Sequence, residues 1–219
     1  MRHLSVTGGN YRSRLLTLLA ACGFLAGCGE AKAPIFDDDP VAVIALKEAG
    51  ANVLRLPLAG GRKEGEFACR VELERASVDS EVIEHLNQLE FLSELSFQNA
   101  TDELLQAMGD FRVLRKIDLA GSSVTDAGLQ ALASKQLPAL YTLVLDDTTV
   151  TGAGLADVPK QVRGLSLANL ALTDADIVNL KHVRGLMALT LSGTNVTPSG
   201  VNSARQTRPQ MMVMGIKMN

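Results

Sequence analysis

A thiol, two imidazoles and two runs of carboxylates are the groups in this chain best suited to attack, proton transfer or metal binding. They are Cys69, His85, His182, Asp37-Asp38-Asp39 and Asp146-Asp147. A reactive thiol needs a base or a cation beside it to hold the thiolate, and nothing in the sequence forms a Cys-His arrangement. Cys69 opens an apolar alternation and reads as a small buried hydrophobe. Asp146-Asp147 could supply half of a cation site, yet carboxylates at a strand edge are the simpler reading. The three aspartates at 37–39 could be taken for a calcium run, but they sit in a charged segment expected to stay solvated. Gly60-Gly61 is a lone glycine pair, and no phosphate loop, nucleophile elbow or paired metal motif occurs. The sequence therefore points to no enzyme, no catalytic residue, no cofactor and no metal. A formal charge of −3 gives no basic footprint for nucleic acid either.

The remaining cysteine with a chemical signature is Cys28. Arg2, Arg12 and Arg14 lead into an apolar run, Leu15 to Ala26, followed by Gly27 and Cys28. A membrane-spanning helix needs about 20 apolar residues, so this shorter run reads as a secretory leader. Leu25-Ala26-Gly27-Cys28 resembles the bacterial lipobox. That resemblance implies cleavage after residue 27 and a lipid on Cys28, with a location in the cell envelope, periplasm or outer membrane. Gly29 stands where an inner-membrane retention signal would have Asp, which favours the outer location. Removing residues 1–27 takes away three basic side chains and no acidic ones, so the formal charge moves from −3 to −6. With Cys28 lipidated, Cys69 has no intramolecular partner, and no disulfide framework is expected despite export. Residues 28–39, the lipidated cysteine with Pro34 and the aspartates, read as a tether; the eleven residues after Cys28, fully extended, reach about 36–40 Å.

The rest of the chain is repetitive. Leu114, Ile117, Leu119, Ser122, Val124, Thr125, Asp126, Gly128 and Leu129 recur as Leu140, Leu143, Leu145, Thr148, Val150, Thr151, Gly154 and Leu155. Further copies begin at Ala68, Leu92, Val162 and Leu186, and a half-copy runs Met211, Met214 and Ile216. A period of 22 to 26 residues signifies a solenoid. Each copy alternates apolar residues at period two, as a strand does, and then shifts to helical-turn spacing. Five buried aliphatics contribute on the order of 10 kcal/mol, whereas ordering one copy of this length costs a few times more. Copies must stack to fold. The composition agrees: 47% hydrophobic but 4% aromatic and without Trp, it suits aliphatic ladders. The Thr-Asp pairs, Thr125-Asp126 and Thr173-Asp174, fit as caps of the short helix behind each strand, with Gly128, Gly154 and Gly200 relieving crowding there. Ahead of the repeats, residues 40–67 read as an N-terminal cap. Asp39 caps a helix from Pro40 to Ala49 that Gly50 stops, with Val41, Ile44 and Leu46 available to pack. A strand through Val53 to Leu58 and a turn-rich loop follow.

These motifs resemble the leucine-rich-repeat family, in its bacterial L-x-x-L-x-L-x-x-T-x-V-T-D-x-G-L form. With the lipobox, the chain is similar to bacterial leucine-rich-repeat lipoproteins. The resemblance covers residues 68–219 as six repeats and a terminal strand. Copy one departs with Ser77-Val78-Asp79-Ser80, and copy five has Leu170 where Thr is usual. The resemblance implies a right-handed α/β horseshoe, with a parallel sheet on the concave face and short helices on the convex face. It also implies protein binding through the concave face, without catalysis.

Strand geometry turns the residues beside the ladder leucines away from the core. They are charged in the early copies and small in the late ones. Arg70, Glu72, Glu74, Glu94, Lys116, Asp118 and Asp146 are accordingly the candidate partner-binding residues, with an acidic excess suited to a basic protein. Small residues such as Gly164 and Ala188 continue the row as a flat platform. The alternative is a self-associating envelope component. It would use residues 211–219, where Met211, Met212, Met214, Ile216 and Met218 make an apolar edge strand, a known pairing liability.

Overall fold

The computed structural model describes residues 38–57, 67–73 and 78–216. The leader, Cys28, Asp37, Gly60-Gly61, Glu74, Met218 and most of the tether lie outside the described residues. Among the described residues the protein is an α/β solenoid, with eight strands that form one sheet in chain order. Helix α1 (Pro40–Glu48) and strand β1 (Asn52–Pro57) precede β2 (Phe67–Glu72). Then come α2 (Ser80–Asn87), β3 (Leu92–Ser96), α3 (Asp102–Ala107), β4 (Lys116–Asp118), α4 (Asp126–Ala133) and β5 (Thr142–Val144). A 3₁₀ turn (Gly154–Asp157) leads to β6 (Gly164–Ser166), and α5 (Asp174–Ile177) runs into a second 3₁₀ turn (Val178–His182). Strand β7 (Ala188–Thr190), α6 (Pro198–Gln206) and β8 (Met212–Met214) complete the series.

Strands β2 to β8 pair in parallel, each with the next. Parallel neighbours require a crossover, and the helix or 3₁₀ turn of each copy supplies it. β1 instead pairs antiparallel with β2, with Asn52 opposite Glu72. The sequence identifies a strand there but carries no signal of its direction. The ladder residues behave as the repeat requires. Leu114, Ile117, Leu119, Val124 and Leu129 are buried, as are their counterparts through Leu186, Leu189, Leu191, Val196 and Val201. They form one continuous core. Leu170, the departure in copy five, is buried with them.

The Thr-Asp-x-Gly element does more than cap a helix. Thr101, Thr125, Thr173 and Thr197 are indeed N-caps. The aspartate, however, reaches into the next copy. Asp102 accepts from the amide and hydroxyl of Thr125, at 2.8 and 2.5 Å. Asp126 does the same with Thr151 (2.8 and 2.6 Å), and Asp174 with Thr197 (2.7 and 2.6 Å). The glycines make room for these carboxylates. A Cβ on Gly128, Gly154 or Gly200 would lie 2.3, 2.2 or 2.3 Å from an oxygen of Asp102, Asp126 or Asp174. Copy four has Gly152 where Asp would stand, and the carboxylate that bonds the next threonine comes from that threonine's own copy. Asp176 takes the amide and hydroxyl of Thr173 within its own copy, both at 2.7 Å. It fills the space above Gly152.

A second recurring position follows each late strand. Gly121, Asp147, Asn169, Gly193 and Gly215 all adopt positive φ, between 56° and 79°. Only residues that tolerate the left-handed region serve there, and Asn and Asp are the side chains that do so most readily. Asp147 is therefore a turn residue; its carboxylate accepts from Asn169 Nδ2 at 2.9 Å.

At the N-terminal end, Asp39 caps α1 and Pro40 occupies the first turn as expected. The buried face differs from the sequence expectation. Ala42, Val43 and Leu46 are buried, whereas Val41 and Ile44 are 47% and 48% exposed. Asp38 accounts for this phase, because it is buried rather than solvated. It accepts from the amides of Glu90 (2.6 Å) and Phe91 (2.8 Å) and from Cys69 Sγ (3.1 Å). That fixes where the helix starts, so its i, i+1 and i+4 positions turn inward.

Two predictions test these links. Gly154→Ala should cost about 1–3 kcal/mol by overpacking, measured by denaturant unfolding. In an Asp126→Ala background the same substitution should cost little, because the clashing carboxylate is gone. Asp174 has its pKa held below the ordinary 3.8, first by the hydrogen bond from the Thr197 hydroxyl and then by the Thr197 amide. A lowered folded pKa gives stability that is present above the unfolded value and is lost as pH falls through the folded one. Asp174→Asn should therefore show a shallower fall in Tm below pH 3.8 than the parent chain.

Candidate interaction surface on the open sheet face

The parallel register sorts the strand side chains into three rows. The middle row, from Val71 through Leu95, Ile117, Leu143, Leu165 and Leu189, is buried against the helices. The rows on either side face outward. One reads Arg70, Glu94, Lys116, Thr142, Gly164, Ala188 and Met212; the other reads Glu72, Ser96, Asp118, Val144, Ser166, Thr190 and Met214. Neighbouring strands stand about 4.8 Å apart, so each side chain meets the next in its row.

Six of the seven expected partner-binding residues lie within the described residues, and five of them converge. Arg70, Glu72, Glu94, Lys116 and Asp118 line one shallow depression of about 250 Å³ with Ser96. Arg70 pairs with Glu94, its Nη2 at 2.5 Å and Nε at 2.7 Å from Oε2. Lys116 Nζ lies 3.1 Å from Asp118 on the same strand. Glu72 accepts from Asn52 Nδ2 at 2.7 Å. The surface is thus a lattice of alternating charge with one surplus carboxylate, not a row of unpaired acids. Asp146 stands apart; its carboxylate accepts from the Ala168 amide at 2.6 Å and braces the neighbouring turn. Asn52 was not recognisable from sequence as part of this surface. It joins only because β1 runs antiparallel and places it opposite Glu72.

Both ion pairs keep a quarter or more of their side-chain surface exposed. Exposed pairs contribute about 0–1 kcal/mol to folding, so their value lies in order rather than stability. They hold long side chains in fixed positions on the open face. Beyond β4 the rows shrink to Thr, Val, Gly, Ser and Ala, leaving the sheet backbone close to the surface. On β8 the outward rows end in Met212 and Met214, which are 63% and 46% exposed, while Met211 is buried.

Of the residues best suited to chemistry, Cys69 and His182 are engaged in structure. Cys69 is 1% exposed. Burial pushes its thiol pKa well up, and the hydrogen bond to Asp38 adds to the effect. The ring nitrogens of His182 stand 3.0 and 2.7 Å from the carbonyl oxygens of Asn179 and Val158. His85 lies on α2, away from the open face. Among the described residues, no three His, Cys, Asp or Glu side chains are grouped to hold a metal ion. No helix of the described residues is long and apolar enough to cross a membrane.

No family model matches the chain, and no curated protein matches it. Among solved structures, an internalin C2 from Listeria monocytogenes str. 4b F2365 is similar, with a TM-score of 0.44 and 16% sequence identity. The match covers 83% of this chain and 84% of that one. That likeness says nothing of a partner.

The thiol assignment has a direct check. At about pH 8, near the ordinary thiol pKa, iodoacetamide should leave Cys69 unmodified in the native chain and alkylate it in denaturant, as read by peptide mass mapping. Asp38→Ala should lower stability by about 1.5–3 kcal/mol, the range for hydrogen bonds to a charged group.

Proposed function

We propose that this chain is an exported module that binds another protein through its open sheet face, held to the bacterial envelope by a lipid on Cys28 and without catalysis. The observation that carries the binding reading is the pair of outward rows. Five charged side chains converge on β2, β3 and β4, and small residues alone occupy the rows from β5 to β7. A partner that complements this face carries both charges with a basic excess over Glu72, Glu94 and Asp118. It approaches closely over β6 and β7, where Gly164, Ser166 and Ala188 leave no long side chain in the way. The lipid reading rests on the Leu25-Ala26-Gly27-Cys28 sequence behind a basic, apolar leader.

A second reading, self-association, is favoured by one observation. Among the described residues β8 pairs on one side only, with β7, and presents Met212 and Met214 to solvent. Exposed methionines adapt to varied surfaces, and a copy of the same strand is one of them.

A photo-crosslinking amino acid at Ser166 in intact cells tests the first reading against the second. Adducts with a different protein at Ser166, and none at the 58% exposed Val178 on the helical side, are expected. Glu72→Gln with Asp118→Asn should weaken those adducts several-fold. Adducts confined to a second copy of the chain, and strongest at Met212, would replace binding with self-association. Separately, radiolabelled fatty acid should enter the parent chain and not Cys28→Ser; label retained in that variant removes the anchor.

A further inference from the structure

We propose that the edge of the sheet where the strands begin lies against an anionic phospholipid surface, fixing the orientation of the solenoid on its membrane. This deepens the anchoring reading above and rests on it. The first observation is the sorting of charge between the two edges. From α3 onward, the five helix-to-strand connections (108–115, 134–141, 158–163, 183–187 and 207–211) hold seven Lys or Arg and one Asp. The opposite edge consists of the strand-to-helix connections with the first three residues of each following helix or 3₁₀ turn. From β3 onward it holds seven carboxylates and no Lys or Arg. A net-acidic chain thus presents one basic edge. The carboxylates of the acidic edge are largely occupied by the inter-repeat links, as for Asp102, Asp126 and Asp174.

Not every cation of the basic edge is available. Arg208 is buried, with Nη1 on the carbonyls of Leu180 (2.9 Å) and Val183 (3.3 Å), and desolvation lowers its pKa. Lys135 reaches the Gln106 carbonyl at 2.7 Å. Arg112, Lys160, Arg163 and Arg184 are exposed along the edge, and Arg115, also exposed, is itself engaged by a partner.

The second observation is what stands between them. The residue just before each strand runs Arg115, Tyr141, Arg163 and Met187 on four successive strands, joined by backbone bonds from each amide to the preceding carbonyl. Tyr141 is 50% and Met187 49% exposed, and Arg163 Nη1 lies 4.0 Å from Met187 Sδ. Arginine alternating with an aromatic ring and a thioether suits a lipid interface, where guanidinium groups meet phosphates and apolar tips enter the headgroup layer.

The third observation is where the chain joins the body. Asp38 is bound to the amides of Glu90 and Phe91, in the helix-to-strand connection that precedes β3. The segment bearing Cys28 is therefore attached at the same edge. Ten residues span at most about 33–36 Å, so an anchor at Cys28 holds this edge near the bilayer. Val41 and Ile44, exposed on the first turns of α1, follow directly after Asp38.

The chain contains no Trp, so Tyr141→Trp installs a single indole at the centre of the row; the site is half-exposed, which favours folding. The full chain is bound to vesicles with bromine-labelled acyl tails, either of phosphatidylcholine alone or of equal parts phosphatidylcholine and phosphatidylglycerol. Quenching is read on chain that co-floats with vesicles. In the anionic vesicles the indole at 141 should be quenched several-fold more than one placed by Val178→Trp on the helical side. Arg115→Gln with Arg163→Gln, or high salt, should remove the difference. Equal quenching at both positions overturns the proposal, as does quenching at 141 that is unchanged in phosphatidylcholine alone. Shielding of the 141 indole without lipid quenching assigns the edge to an acidic protein and also overturns it. Flotation of Cys28→Ser reads the anchor separately: unaltered flotation there defeats the lipid reading and leaves the orientation result standing on whatever holds the chain.

Discussion

The peptide groups of each short strand find their hydrogen-bond partners on the neighbouring copy, and that dependence governs the molecule. Strands β4 to β8 are three residues long, too short to persist alone. Their amides and carbonyls are paired because the copy before and the copy after lie in register. A buried peptide group left without a partner carries a desolvation cost of about 1–3 kcal/mol, so register is enforced at every step. The carboxylate links from Asp102, Asp126 and Asp174 act in the same direction, since each ties one copy to the next rather than closing a helix on itself. Copy four shows the logic by exception. Without an aspartate at position 152, Thr173 is bonded instead by Asp176 of its own copy, whose carboxylate occupies the space above Gly152.

Once register is fixed, everything outward follows from it. A residue's place in its strand decides whether it joins the buried ladder or an outward row, and its copy number decides its neighbours. Arg70, Glu94 and Lys116 come together from segments more than twenty residues apart because each is the residue before a ladder aliphatic. The same rule lines up Arg115, Tyr141, Arg163 and Met187 one position earlier, at the edge of the sheet. Cys69 lies in the buried framework, and its burial and its bond to Asp38 suppress the thiolate that nucleophilic chemistry would need.

The N-terminal cap obeys a different constraint. A sheet end exposes backbone donors and an apolar cross-section, and both must be covered. β1 supplies the backbone by pairing antiparallel with β2, and α1 supplies Ala42, Val43 and Leu46. Asp38 locks the arrangement by accepting two amides and a thiol from the first repeats. An acidic run that composition alone marks as solvated thus contributes one residue to the buried framework.

The amino-acid order by itself determined the repeat, its strand and helical segments, the buried ladder from Leu114 to Val201, the threonine caps and the identity of the outward residues. These are local properties: a period of two or of about 3.6 places a side chain on a face whatever lies opposite. It also marked the glycines of the Thr-Asp-x-Gly element, though not what fills the space above them. Only the stacked structure decided how those residues are joined. The acidic excess among the outward residues is partly tied into ion pairs, since Arg70 lies beside Glu94 only across a strand boundary. Asn52 entered the surface, Asp146 turned to a backbone amide, and α1 buried a different face from the one its apolar residues suggested. The physical reason is common to all of these. Hydrogen bonds and ion pairs are set by distances of about 3 Å between groups far apart in the chain, and those distances exist only after neighbouring copies have come into register.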